Sequence, residues 1–174
     1  MDVEWSSALH PDGTRLSGQV RVELEQPERL DVVSVDPVAV EGRALAVDDA
    51  MTVEASLETN VLYRCVRCLT SFHSALATVL HERFSRAPVS PVDADTEVVY
   101  VSEPTIHLDP YVEQALVLAL LQHPVCRVDC KGLCPVCGAD LNIRECGCER
   151  KPIDPRLAAL AQVLDEMNKD VDSD

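Results

Sequence analysis

The sequence predicts an α+β fold: an antiparallel β-sheet, two main helices and a cysteine-rich segment. Three observations predict it. β-branched and alternating runs fill the first hundred residues, Asp-Pro helix starts occur at Asp109-Pro110 and Asp154-Pro155, and six of the eight cysteines lie between Cys126 and Cys148. At 174 residues and 19.1 kDa the chain suits one domain overall. Within it, residues 1–125 read as a mainly antiparallel body with a helix from about 109, residues 126–150 as a cysteine-rich module packed on that body, and residues 151–174 as a helix with an acidic tail. Hydrophobic residues make up 47% of the chain and aromatics 3%, so the core is expected to be aliphatic.

Residues 17–25 alternate, with Val20, Val22 and Leu24 on one face, and residues 30–35 and 38–47 supply further strands split by Asp36-Pro37. The clearest strand is 52–63. It sets Val53, Ala55, Leu57, Val61 and Tyr63 on one side, Glu54, Ser56, Glu58 and Asn60 on the other, and runs directly into Cys65. In residues 72–84, Phe72, Leu76, Leu80 and Phe84 fit helix spacing and also share one face of a strand. An antiparallel return after the Cys65/Cys68 turn favours the strand. Residues 86–96 have the Pro, Ser and Asp content of a mobile loop, and 97–101 read as a short strand. A helix is predicted with Asp109 as N-cap and Pro110 at its first position, through Val112, Leu116, Ala119 and Leu120, ending by His123-Pro124. The second helix runs from Asp154-Pro155 through Leu157, Leu160, Ala161 and Leu164, and its acidic end, 168–174, is expected to fray.

The cysteines read Cys65-x2-Cys68, then Cys126-x3-Cys130-x3-Cys134-x2-Cys137-x8-Cys146-x-Cys148, and Cys134-Pro-Val-Cys137-Gly has the form of a zinc knuckle. Disulfides would need an oxidising compartment, yet Met1-Asp-Val-Glu-Trp-Ser-Ser has no cationic start and no apolar stretch, so export is not expected. The longest apolar run, 115–121, is too short for a bilayer. A redox pair would want a thioredoxin-like βαβ setting, which is missing. Structural Zn²⁺ accounts best for eight thiols, as two tetrathiolate sites. Two cysteines three apart on a tight turn aim both sulfurs at one ion, and Gly138 allows a positive φ as the turn closes. The economical division groups Cys134, Cys137, Cys146 and Cys148 locally and joins Cys65 and Cys68 to Cys126 and Cys130. The other division joins Cys65 and Cys68 to Cys134 and Cys137, a ribbon with a long insert.

A net charge of -15 argues against a broad basic surface that grips a phosphate backbone. The cations cluster: Arg64, Arg67, Arg127, Lys131, Arg144, Arg150 and Lys151 flank the cysteines. With Asp129, Asp140, Glu145 and Glu149 interleaved, they read as partners of negative thiolate sites. The sharper reading is a small cationic patch for RNA or an acidic protein.

Motifs of catalysis are missing: no Gly-rich phosphate loop, no nucleophile elbow, no HExxH and no deaminase signature. His73 and His81 read as exposed structural histidines, His107 and His123 as possible substitutes for a cysteine ligand, and Asp48/Asp49 as a solvated turn. A tetrathiolate zinc leaves no position for water, so the expected chain is not an enzyme.

Four motifs also carry a resemblance: Arg64-Cys65-Val66-Arg67-Cys68-Leu69, the run from Cys130-Lys131-Gly132-Leu133-Cys134 to Leu141-Asn142, Cys146-Gly147-Cys148, and Asp154-Pro155-Arg156-Leu157-Ala158. Their order and spacing from about residue 17 to 165 resemble the YceD family, bacterial and plastid proteins linked to accumulation of large-subunit ribosomal RNA. The resemblance implies a cytoplasmic protein acting in synthesis, processing or stability of 23S ribosomal RNA, with no assigned active site. The expected partner is a ribosomal RNA precursor or a ribosomal or assembly protein, with no membrane and no small-molecule substrate. The rival readings are an accessory of RNA polymerase that docks through its zinc module, and a thiol redox switch.

Overall fold

In the computed structural model, which describes residues 1–24, 26–87 and 98–148, the elements in chain order are Asp2–Glu4 (β1), Trp5–Ala8 (α1), Thr14–Val20 (β2), a 3-10 turn Pro27–Leu30, Val32–Val35 (β3), Val38–Val47 (β4), Ala50–Arg64 (β5), Ser71–Ser85 (β6), Val98–Tyr100 (β7), Thr105–His107 (β8) and Asp109–Ala119 (α2). The main sheet runs β2-β4-β5-β6-β7, with β3 also paired to β5, while β1 and β8 form a separate two-stranded ribbon. Contacts divide the chain into two compact units, Met1–Cys130 and Lys131–Asp174.

β5 organises the first unit because its alternation is strict. Met51, Val53, Ala55, Leu57, Thr59, Val61 and Tyr63 are buried, and the residues between them are not. A one-residue slip would turn all of them to water, so the register is strongly specified. On one side β6 pairs with β5 along its whole length, from Ala50↔Ser85 to Arg64↔Ser71, which settles residues 72–84 as a strand. On the other side β4 pairs with Ala50 to Glu58 and β3 with Val61 to Tyr63. The break falls at Asp36-Pro37, where Pro37 has no N–H for the ladder. Thr59, the buried polar residue there, donates its hydroxyl to the Asp36 carbonyl at 2.8 Å, so the interruption leaves that carbonyl satisfied.

The inner face of the sheet packs with α1 and α2 into one apolar cluster that includes Trp5, Leu16, Val40, Val53, Leu57, Phe84, Val112 and Leu116. Each such side chain contributes about 1.5–3 kcal/mol on burial. Phe84 meets Tyr111 edge to face at 5.1 Å. A second cluster, Val32, Val61, Tyr63 and Leu120, sits toward the β5–β6 turn, with Phe72 stacked on Tyr63 at 5.9 Å. It backs the turn that carries Cys65 and Cys68.

Several elements depart from the sequence reading. The sheet is not purely antiparallel, because β7 lies parallel to β6, with Arg83↔Val98 to Ser85↔Tyr100. β2 starts earlier and ends at Val20; Val22 and Leu24 still pack on the clusters without belonging to a strand. Residue 30 belongs to a 3-10 turn, and Asp31 takes φ 52° before β3 begins. The N-cap of α2 is Leu108, with no side-chain cap. Asp109 is instead the first helical residue, and its carboxylate accepts from the Met1 ammonium, which β1 brings beside the helix by pairing with β8. α2 ends at Ala119 because Leu120 turns extended, with ψ 144°, to bury its side chain beside Tyr63. The predicted helix from Asp154 and most of the 86–96 loop lie outside the described residues.

The described part of the second unit, residues 131–148, has one isolated bridge, Leu133↔Asp140, and none of its residues enters either apolar cluster. Leu133 and Leu141 are half-buried and Ile143 is 82% exposed.

Gly42 of β4 faces the β5 backbone so closely that a Cβ would lie 2.1 Å from the Glu54 carbonyl oxygen and 2.5 Å from Ala55 Cα. Neither is a side-chain end that can swing away. Gly42→Ala is expected to cost roughly 3 kcal/mol, the upper end for overpacking, measured by denaturant unfolding of the purified chain.

Candidate metal centres

Two groups of four cysteines form, and within each the sulfurs all lie within 4.8 Å of one another: Cys65, Cys68, Cys126 and Cys130 in the first unit, and Cys134, Cys137, Cys146 and Cys148 in the second. The sets match the economical division by spacing. All eight are free thiols. In the first tetrad Cys65 and Cys130 sulfurs are 3.9 Å apart and those of Cys68 and Cys126 3.7 Å. A regular ZnS4 tetrahedron with Zn–S near 2.3 Å has edges of about 3.8 Å, so the sulfurs stand at coordination spacing rather than at the ~2.05 Å of a disulfide.

The first pair occupies the turn between β5 and β6. Cys65 N–H donates to Thr70 O at 3.0 Å and Leu69 N–H to Cys65 O at 2.9 Å. The second knuckle repeats this frame: Cys134 N–H donates to Ala139 O at 2.8 Å and Gly138 N–H to Cys134 O at 2.8 Å. In both, the residue after the second cysteine is left-handed, Leu69 at φ 60° and Gly138 at φ 70°. The residue-69 position is one that sequence reading missed, since a leucine gives no sign of a positive φ. Comparing the two Cys-x-x-Cys turns as one motif would have flagged it.

Cys126 and Cys130 reach the first tetrad from the segment after α2. Val66 N–H donates to Pro124 O at 2.9 Å, and the Arg67 guanidinium donates to Val128 O at 3.3 Å and Cys130 O at 3.1 Å. Arg67 is thus a tie between the turn and the segment. Arg127 pairs with Asp129 at 3.4 Å, in line with the interleaved charges. In the second unit Asp140 accepts from the Asn142 backbone N–H and side-chain amide, both at 2.8 Å, and Asn142 Oδ1 accepts from Lys131 N–H at 2.8 Å. These bonds close the loop on which Cys134 and Cys137 stand.

The tetrads differ in shielding. Cys65, Cys68 and Cys130 are buried and Cys126 half-buried, whereas in the second set only Cys134 is buried and Cys137 is exposed. In each, one sulfur ionises easily. Burial opposes ionisation of Cys65, but the N–H groups of Cys126, Cys68 and Arg67 outweigh it and bring the thiol down to about 6. The N–H groups of Cys137 and Val136, with the Cys146 thiol, bring Cys134 to about 6. The neighbours resist: burial and the thiols around it push Cys126 up to about 12, and Cys137, burial and the charge on Cys137 push Cys148 to about 12. Four sulfurs this close repel as anions, and a divalent cation would remove that cost.

No histidine joins either group among the described residues. His107 faces Asp2 at 2.8 Å, lowering that carboxyl, His81 stands 3.7 Å from Glu54, and His73 and His123 are exposed. Asp48 and Asp49 form the exposed β4–β5 turn, Asp48 at φ 53°.

The family described as "Large ribosomal RNA subunit accumulation protein YceD" matches residues 53–164. An uncharacterised Mycobacterium tuberculosis protein (strain ATCC 25618 / H37Rv) is 34% identical over 141 residues, covering 78% of this chain and 67% of its own. An uncharacterised Mycobacterium leprae protein is 33% identical over 131 residues, covering 74% of this chain and 59% of its own. Uncharacterised protein YlbN of Bacillus subtilis is 27% identical over 146 residues, covering 82% and 84%. No solved structure matches.

If the left-handed residue is a requirement of the turn, Leu69→Gly should leave the first unit at least as stable, with a gain of up to about 1 kcal/mol, while Gly138→Leu should cost about 1–2 kcal/mol. Unfolding midpoints of the two variants, followed by sheet and knuckle probes separately, check both signs.

Proposed function

This chain belongs to the YceD family, and we propose on that basis that it supports the accumulation of large-subunit ribosomal RNA as a non-enzymatic binding factor in ribosome biogenesis, with one structural Zn²⁺ in each cysteine tetrad. The observation that supports the zinc reading is the spacing of the sulfurs, 3.7 and 3.9 Å in the first tetrad, against the edge of about 3.8 Å that tetrahedral zinc requires. Four thiolates fill the coordination sphere and leave no place for a water nucleophile, so the ions would hold backbone and perform no chemistry. The ligands would be Cys65, Cys68, Cys126 and Cys130 for one ion and Cys134, Cys137, Cys146 and Cys148 for the other.

Charge supports a protein partner over an RNA backbone. The chain carries -15 before any thiolate is counted, and two tetrathiolate zinc sites would add about four further negative charges. Such a chain is attracted to basic ribosomal or assembly proteins and repelled by phosphate. No helix among the described residues is long and apolar enough to cross a membrane.

Metal analysis of chain purified without chelator is expected to find two zinc ions per chain. Chelation should unfold residues 131–148, which have no apolar cluster, before the sheet, as read by amide exchange in each unit. Uptake of zinc at pH 7 should release protons, because Cys126 and Cys148, near 12 without a cation, are protonated and must give up their protons to bind. Affinity should therefore rise with pH, and fall steeply below about pH 6 as Cys65 and Cys134 protonate too. A weakly buffered titration reads the protons directly. For the ribosomal reading, depletion of the protein should lower 23S relative to 16S ribosomal RNA, and the protein should co-sediment with large-subunit precursors; co-sedimentation with RNA polymerase would reject it.

A further inference from the structure

The sheet has one long side with no described partner. β5 covers one edge of β6 from Ser71 to Ser85, but on the opposite edge the only pairing among the described residues is β7, at Arg83–Ser85. From Ser71 to His81 no backbone pairing on that side is found among the described residues. Natural sheets blunt such edges with Lys, Pro or a bulge. The run Ser71-Phe72-His73-Ser74-Ala75-Leu76-Ala77-Thr78-Val79-Leu80-His81 has no Lys, Pro or Gly, and its register with β5 is unbroken.

The core thins toward that edge. Val61 and Leu57 on β5 are 0% and 1% exposed, while Phe72, Leu76 and Thr78, on the same face of β6, stay half-buried. An added strand with apolar residues at alternate positions would complete their burial. On the outer face the chemistry is different. Gln19, Ala39, Glu58 and Ala77 lie opposite one another across four strands, and with Asp36 and Asn60 they line an open trough of about 590 Å3. Because Ala39 and Ala77 are small, the exposed Glu58 carboxylate between them is uncovered, and no ion pair to it is found among the described residues. A Lys or Arg on a strand beyond β6 can lie over Ala77 and reach it.

We propose that the outer edge of β6, unpaired from Ser71 to His81 among the described residues, takes an extended segment of a partner protein, in which apolar residues alternate with Lys or Arg, as an added strand. The backbone groups of residues 71–81 supply the hydrogen bonds, the half-buried inner row takes the apolar residues, and Glu58 with the Asp36 end of the trough takes the cations. Charge selects this occupant over a second copy, since two chains of -15 repel and a cation-rich strand is attracted. The inference rests on the fold of the first unit and goes beyond the ribosomal reading, which the sedimentation experiment tests separately.

The full chain, zinc-loaded, is titrated with a short labelled peptide of alternating valine and lysine, followed by anisotropy and by amide exchange. Two control peptides carry glutamate for lysine, or methyl groups on alternate backbone amides. Binding of the lysine peptide alone is expected, with slowed exchange at the outward amides of residues 71–81. Glu58→Lys should weaken it about tenfold and Glu58→Gln less, with thermal unfolding unchanged. Equal binding by either control overturns the proposal. So does protection of those amides in the free monomer, which would mean that the chain covers its own edge, or a dimer with the edge protected, which would assign it to a second copy.

Discussion

The reversal of the chain between Arg64 and Ser71 is the constraint on which the first unit depends. β5 and β6 are in register over their full length, so the turn has to return the chain within Cys65–Thr70 without shifting a single pair. It does so by closing Cys65 N–H on Thr70 O and Leu69 N–H on Cys65 O, and that frame forces residue 69 left-handed. The same frame turns the sulfurs of Cys65 and Cys68 toward one point. Sheet register and thiol convergence are therefore two consequences of one turn. A change that relaxed the turn would loosen both, because a slip would also carry Tyr63 out of its cluster with Val61 and Leu120.

The electrostatics follow from that convergence. Sulfurs held within 4.8 Å cannot all ionise without compensation: the N–H groups of Cys126, Cys68 and Arg67 outweigh burial and bring Cys65 down to about 6, while burial and the neighbouring thiols push Cys126 up to about 12. The Arg67 guanidinium donates to the carbonyls of Val128 and Cys130 and so braces the backbone around the tetrad, and Arg127 pairs with Asp129. A cation at the centre would compensate the thiolates and would leave the surface of an acidic chain acidic.

Period and turn chemistry made much of this legible. Strict alternation in 52–63 and an antiparallel return out of the Cys65 turn were enough to choose strand over helix for residues 72–84, where side-chain spacing alone was ambiguous. Spacing also favoured the division of the thiols into the two sets whose sulfurs lie together, because a local set of four asks less of the chain than two interlaced sets. What escaped was set by distant partners. Asp109 carries a helix-start signal, but the Met1 ammonium claims its carboxylate and the cap passes to Leu108. Val98–Tyr100 reads as any short strand, and only the path of the chain makes it parallel to β6. Leu120 belongs to the helix by period, yet packing against Val61 and Tyr63 draws it out.

The two knuckles share a backbone frame and differ in everything that supports it. The first has a sheet behind it, with Tyr63 and Phe72 stacked beneath the turn and Leu120 packed alongside, and it keeps three of four cysteines buried. That support is what allows a leucine at a left-handed position, at a cost of about 1–2 kcal/mol. The second has no apolar cluster among its described residues, three of its four cysteines reach solvent, and it uses glycine where the first uses leucine. A turn with nothing packed behind it cannot absorb strain. In the first unit a metal would therefore lock a conformation the sheet already favours, whereas in the second it would be the main source of order, so the two tetrads should answer differently to loss of metal even though their ligands are the same.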